Sequence, residues 1–312
     1  MKEIKIKNLI SKFKMAIKLG DNSAMKEKTL NIGYKRTCSC SEKRINCLTG
    51  KEWVKDQVAI QEFYYTKDDI RDKNIHPATF PIALPAKFIE MFTHKGELVL
   101  DPFVGTGTTL IAARQAGRNA IGFDLKKEYI DFARKRLNQT TLFNHTEQIL
   151  IQDDAINVSK YIRPETVSLC VTSPPYANML NKPRLNKSMR ADLRKNEHYL
   201  KIQQYSNNPR DLGTMEVPEY ARAMSDIYKE IFPLMKPKGH CVVNVNDLWW
   251  ENHRILTHVY LIAALEKVGF ELRNILIWDK RNLVNHVGIF GYPSNYITLG
   301  STFEYLLDFW KP

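Results

Sequence analysis

Leu98-Val99-Leu100-Asp101-Pro102-Phe103-Val104-Gly105-Thr106-Gly107-Thr108-Thr109 runs from an apolar strand through a glycine turn into the helix-like stretch Leu110-Ile111-Ala112-Ala113-Arg114-Gln115-Ala116. Strand, glycine turn and helix in that order build a nucleotide-binding loop. Glycine carries no Cβ, so backbone N–H groups at the helix N-terminus can approach a ligand closely. The loop is not of the dinucleotide type: the third glycine of G-x-G-x-x-G would fall at Leu110, so a pyrophosphate packed against the helix is not expected.

Outward from this loop, two more strand ends carry acids. Ala120-Ile121-Gly122-Phe123 ends in Asp124, where a ribose diol would be hydrogen-bonded. Ile149-Leu150-Ile151-Gln152 runs into Asp153-Asp154-Ala155, where a carboxylate could meet an adenine amino group. Acids after strands also cap helices, yet a fourth strand end makes capping alone a poor account of the series. Val167-Ser168-Leu169-Cys170-Val171 leads into Thr172-Ser173-Pro174-Pro175-Tyr176. Neither proline can donate a ladder hydrogen bond, so the strand stops there. The Ser173 hydroxyl and the Pro174 carbonyl can converge as acceptors on one NH₂ group, and Tyr176 offers a face on which a base can stack.

From His76 onward, strand and helix patterns alternate. Helices fit Ile82–Thr93, Thr108–Ala116, Lys127–Asn138, Pro218–Met235 and His253–Val268. After the first four strands, others fit His240–Asn246, Glu271–Trp278 and Phe303–Phe309. Seven strands with intervening helices predict an α/β fold, a doubly wound, mostly parallel, Rossmann-like sheet with ligands at the carboxyl ends of its first strands. The last two strands lack a helix between them and are expected to form an antiparallel edge.

With these motifs in this order, residues 76–312 resemble the S-adenosylmethionine-dependent DNA amino-methyltransferases, specifically the Ser-Pro-Pro-Tyr branch that mostly methylates cytosine N4. The resemblance implies a class I methyltransferase fold with S-adenosyl-L-methionine as cofactor. It implies cofactor contacts from Asp101, Phe103, Gly105, Thr106, Gly107, Thr108 and Thr109, from Asp124 and Leu125, from Asp153, Asp154 and Ala155, and from Thr172. His76-Pro77-Ala78-Thr79-Phe80-Pro81 is similar to the segment that closes over the cofactor, adding His76 and Thr79; Phe80 stands where the family often has lysine. Ser173, Pro174, Pro175 and Tyr176 are the implied catalytic residues, acting on a base flipped out of the duplex. Adenine N6 is the alternative target, usually served by Asp or Asn in place of Ser173. RNA guanine N2 is a third, and a DNA-binding protein with a silent methyltransferase fold is a fourth. Attack on cytosine C5 would need a thiol after a proline, and the chain contains no Pro-Cys pair.

Charge agrees with a polyanionic partner. The net charge is +12, and it is concentrated: residues 1–50 carry twelve Lys and Arg against four Asp and Glu, and residues 177–215 eight against three. The second stretch is read as a DNA-contacting insertion bearing Lys182, Arg184, Lys187, Arg190, Arg194 and Lys195. Double-stranded DNA is thus the expected partner, with a separately acting restriction endonuclease as a compatible companion. Residues 1–75 read as a basic extension, and Ile6, Leu9, Ile10, Phe13 and Ile17 mark a short amphipathic helix within Met1 to Leu19. No export signal or long apolar run is evident, and the odd, scattered cysteines suit a reducing, cytoplasmic setting. Cys170 and Cys241 read as core residues. Cys38, Cys40 and Cys47 lie in a polar stretch, but C-x-C spacing without an evident fourth ligand leads to no metal being expected.

Overall fold

The computed structural model describes residues 29–41, 43–70, 76, 79–139, 146–181, 203–250, 253–283, 291–292, 296–297 and 301–312. The amphipathic segment before residue 20 and the six basic residues Lys182 to Lys195 lie outside them. In chain order the elements are α1 (Gly50–Asp56), β1 (Ile60–Gln61), α2 (Lys67–Ile70), α3 (Ala83–Phe92), β2 (Leu98–Asp101), α4 (Thr108–Gln115), β3 (Asn119–Asp124), α5 (Lys127–Gln139), β4 (Gln148–Gln152) and β5 (Val167–Thr172). They continue with α6 (Val217–Ile231), β6 (Met235–Val245), β7 (Leu248–Trp250), β8 (His253–Ile255), α7 (Thr257–Glu266), β9 (Glu271–Asp279), β10 (Gly291–Tyr292), β11 (Tyr296–Ile297) and β12 (Phe303–Trp310).

Eight strands form one sheet in the order β1-β9-β12-β6-β5-β2-β3-β4. All seven expected strands are present, and Ile60–Gln61 adds an eighth, parallel to β9. The expected antiparallel pairing is there: β12 runs antiparallel to both β9 and β6. The sheet is buried on both faces, so its strands read as apolar runs whose side chains alternate between two cores. Leu98 and Leu100 point to one core with Cys170, Cys241 and Leu307. Val99 points to the other with Leu169, Val242 and Leu306. Helices α6 and α7 cover the first face and α3 and α4 the second, giving three layers.

Two helix expectations are corrected. Residues 253–255 pair with β7 as a small antiparallel hairpin, Leu248 opposite Ile255, so the helix begins only at Thr257. Asp247 then caps the later start, its Oδ1 accepting from the His258 backbone at 3.3 Å and from His258 Nδ1 at 2.6 Å. The helix expected to reach Met235 ends at Ile231 and tightens into a 3₁₀ turn over Phe232–Leu234. Pro233 lacks the N–H that a continuing helix needs. Among the described residues no helix is long and apolar enough to cross a membrane.

Leu30, Ile32 and Phe63 fasten the chain ahead of α3 to the body of the domain. Leu30 N donates to Tyr161 O at 2.9 Å and Ile32 enters the first core. Phe63 packs edge-on against Trp278 of β9, ring centroids 6.1 Å apart.

Candidate active site

At the carboxyl ends of β2, β3, β4 and β5 lies a cleft of about 730 Å³. Phe103, Asp124, Leu125, Asp153, Asp154, Ala155, Ser173, Pro174, Pro175, Tyr176 and His76, all singled out in the sequence, line it. Such a position follows from the parallel sheet, whose strand ends present loops to a common crevice.

The glycine turn is shaped by close approach. Gly105 and Gly107 have φ of +49° and +84°, left-handed values that a side chain resists. A Cβ on Gly107 would stand 2.9 Å from Ala133 Cβ of α5, and one on Gly105 3.2 Å from His76 Nε2. Asp124 holds the turn from the next strand: its Oδ2 accepts Gly105 N at 3.0 Å and its Oδ1 accepts Lys126 N at 2.8 Å. Burial raises the Asp124 carboxyl to about 7, against the two N–H bonds that favour its charge.

Several sequence candidates serve the loop from beneath. Asp101 is buried at the end of β2, its Oδ2 accepting Thr109 Oγ1 and its Oδ1 accepting Thr172 Oγ1, each at 2.6 Å. This bracket ties β2 and α4 to β5, and burial pushes the Asp101 carboxyl up to about 6. Arg136 of α5 donates to the Thr106 carbonyl at 2.8 Å and to Thr108 Oγ1 at 3.2 Å. None of Asp101, Thr106, Thr108, Thr109 or Thr172 reaches the cleft wall. Thr79 also stands apart from the wall, its carbonyl accepting Tyr65 OH at 2.7 Å, while Phe80 packs at the margin of the second core.

Asp154 caps the 3₁₀ turn Ala155–Lys160 through Ile156 N and pairs with Arg210 Nε at 2.6 Å. Asp153 accepts Tyr161 OH at 2.8 Å. Arg210, Asp211, Leu212, Tyr205 and Ser206 form a wall that sequence reasoning did not assign to the cleft. Of the segment read as DNA-contacting, residues 205, 206 and 210–212 therefore line this cleft. Asp211 organises the wall by accepting Ser206 N at 2.6 Å and Gly213 N at 2.8 Å. Only the Asp-x-Gly pattern at 211–213 hinted at such a turn.

On the opposite side, side chains from distant strands meet Ser173. Tyr176 OH donates to Glu304 Oε2 of β12 at 2.9 Å, and Asn244 Nδ2 of β6 donates to Tyr176 OH at 2.9 Å and Glu304 Oε2 at 2.8 Å. Lys280 Nζ bonds Glu304 Oε1 and sits 4.7 Å from the centre of the Trp278 ring. Burial works to raise Glu304, but the Lys280 charge and the bonds from Lys280, Asn244 and Tyr176 hold it below its ordinary value. Tyr176 is held protonated, pushed well up first by burial and then by the Glu304 charge. With its proton on Glu304, Tyr176 OH can accept from Ser173 Oγ at 3.0 Å, while Asn244 Nδ2 lies 3.4 Å from the same oxygen. Ser173 then keeps a lone pair as an acceptor beside the cleft. Asn244, Lys280 and Glu304 were absent from the sequence reading, because single polar residues on strands carry no local signal.

The cleft suits the expected cofactor. Four carboxylates, Asp124, Asp153, Asp154 and Asp211, with the rings of Phe103, Tyr129 and His76, form a lining for a ligand carrying sulfonium and ammonium charges and an adenine ring.

Comparison with known proteins agrees. A family described as DNA methylase matches residues 7–135 and 167–312, and one described as D12 class N6 adenine-specific DNA methyltransferase matches residues 84–210. The Type II methyltransferase M.MthZI of Methanothermobacter thermautotrophicus is 48% identical over 63 residues, 20% of this chain and 18% of its own length. M.BglI of Bacillus subtilis, also a Type II methyltransferase, is 33% identical over 108 residues, 35% of this chain and 30% of its own. The matched segments thus span less than a third of either relative. Among solved structures, TrmN from Thermus thermophilus has a TM-score of 0.42 at 17% identity, covering 70% of this chain and 45% of its own. An S-adenosylmethionine-dependent O-methyltransferase from Thermotoga maritima has 0.43 at 11%, covering 78% and 69%. The fold is the class I methyltransferase fold, its cofactor is S-adenosyl-L-methionine, and the chain belongs to the DNA methylase family, the N6/N4 amino-methyltransferases.

Proposed function

We propose that the chain transfers a methyl group from S-adenosyl-L-methionine to the N4 amino group of cytosine in double-stranded DNA. The observation that carries this reading is the neutral Ser173 hydroxyl at the head of Pro174-Pro175-Tyr176, lining the cleft and 3.0 Å from Tyr176 OH. An exocyclic amino nitrogen is a poor nucleophile because its lone pair is delocalised into the ring. Ser173 Oγ and the Pro174 carbonyl accept its two hydrogens and draw it toward tetrahedral geometry. Asn244, Tyr176 and Glu304 preorganise that acceptor, so little rearrangement is needed as charge develops. When bound, S-adenosyl-L-methionine supplies an electrophilic methyl sulfonium. The chain's remaining task is alignment, which the Asp124-braced turn and the Arg210-Asp154 wall provide. Tyr176 lines the cleft where an extruded base would lie.

N6 of adenine is the second reading, favoured by the match of residues 84–210 to an adenine-specific class. Digesting DNA methylated by the purified protein to nucleosides and separating them by mass spectrometry decides between the two. N4-methylcytosine is expected; N6-methyladenine as sole product refutes the cytosine assignment and leaves amino transfer standing. Lys182, Arg184, Lys187, Arg190, Arg194 and Lys195 are proposed as phosphate contacts on the basis of their charge.

A further inference from the structure

On the far side of the molecule, where the chain enters β2 rather than where it leaves, Cys38, Cys40, Cys47 and His94 bring their donor atoms within 4.8 Å of one another. His94 supplies the fourth partner that the sequence lacked. It lies 47 residues or more from the cysteines, so spacing could not reveal it. Its Nδ1 stands 3.2 Å from Cys38 Sγ and 3.6 Å from Cys47 Sγ. Bond lengths of about 2.3 Å to sulfur and 2.0 Å to nitrogen in a tetrahedral site put neighbouring ligands roughly 3.5–3.8 Å apart, so the four atoms are nearly placed.

The surroundings prepare these groups for a cation. His94 Nε2 lies 2.7 Å from the Arg44 carbonyl, which can only accept, so Nε2 carries the proton and Nδ1 turns its lone pair toward the thiols. The chain bends at Cys38 and the Cys40 backbone N–H hydrogen-bonds the Cys38 sulfur, which brings both thiols to one point despite C-x-C spacing. The loop is fixed to its base: Thr37 N donates to Lys95 O at 2.8 Å and Asn46 Nδ2 to Met91 O at 2.6 Å. The buried Arg118 guanidinium, held on Thr93 by bonds of 3.0 and 2.7 Å, lies near enough to interact electrostatically with Cys38 and Cys47. Its charge offsets the excess negative charge of three thiolates around a divalent ion.

We propose that Cys38, Cys40, Cys47 and His94 form a structural zinc site that fastens residues 37–48 to the turn preceding β2. Three thiolates and one imidazole in a tetrahedral set select Zn²⁺ over magnesium or calcium, and four protein ligands leave no open position for catalysis. The ion anchors the amino end of the strand whose carboxyl end carries the glycine turn.

Metal analysis of the full chain purified without chelator tests this. Equimolar zinc is expected, falling to background in Cys47→Ser and His94→Ala. A chelator should lower the Tm of the original protein and leave that of Cys47→Ser unchanged. Should the variants fail to fold, the chelated original protein titrated with Co²⁺ decides: thiolate-to-cobalt charge-transfer absorption, and protection of three of the five cysteines from a thiol reagent, support the site. Substoichiometric zinc without cobalt absorption, zinc retained in the variants, or a disulfide mapped among the three cysteines would overturn it.

Discussion

The two walls of the cleft are built by different means. The wall expected to meet the cofactor comes from strand-end loops close in sequence, Phe103, Asp124, Leu125 and Asp153 to Ala155, with the Val104–Gly107 turn braced behind it by Asp124. The wall that would receive the amino group is made of side chains gathered from β5, β6, β12 and the end of β9. A wall of neighbouring strand ends depends on the glycine geometry behind it. A side-chain wall fails when any one member is lost, since each buried partner leaves another unsatisfied.

The largest effect should come from Glu304→Ala, which leaves Lys280 without its partner and costs about 3–5 kcal/mol of stability. Chemical denaturation of the two proteins measures it; a cost like that of a surface residue would mean the side-chain wall is not interdependent. Next is Ser173→Ala, expected to lower kcat by roughly 10²-fold with cofactor affinity unchanged, as when one preorganised polar group of an active site is removed. Single-turnover methylation beside calorimetric titration separates the two quantities. Tyr176→Phe, which keeps the ring and frees the serine proton, should lie between that variant and the original protein.

On the cofactor wall, Asp124→Ala should weaken S-adenosyl-L-methionine by about 2 kcal/mol, near thirtyfold, through loss of a charged acceptor and of the brace on Gly105. Unchanged affinity in a folded variant would return Asp124 to a purely structural role. Stability also depends on pH. Because the folded values of Asp101 and Asp124 are raised, to about 6 and about 7, the stability these groups contribute is present below the ordinary carboxylate range and is lost as pH rises through those values. Thermal denaturation of the ligand-free protein should show it weakening from about pH 4 to pH 7, by at most about 1.4 kcal/mol per unit for each group. Cofactor binding should strengthen across the same range as Asp124 ionises, and Asp124→Asn should flatten that slope.

The difference between the walls also explains what could be read from the sequence. The glycine turn, the acidic strand ends and Ser173 to Tyr176 are local patterns, and all appear at one sheet edge. Asp101, Thr109 and Thr172 were legible as residues but not as a bracket, since only the β2–β5 pairing brings them together. Asn244 and Glu304 meet through the register Leu306 opposite Asn244, a long-range fact with no local trace. Ile60–Gln61 was missed because a two-residue strand has no period to detect. His253–Ile255 was misread because three residues of a hairpin are shorter than one helical repeat.

The place of β12 sets a timetable for folding. It follows β6 and β9 in the chain yet lies between them, pairing with six residues of one and eight of the other. Until residues 303–310 have emerged and been inserted, β6 and β9 expose facing edges that cannot join, and closing them requires contacts distant along the chain. Such an insertion is a slow step, during which open edges invite pairing with other chains. The same strand delivers Glu304, so the sheet closes and the Ser173 hydroxyl is oriented in a single event, and a nascent chain that already has its cofactor turn remains without a working acceptor.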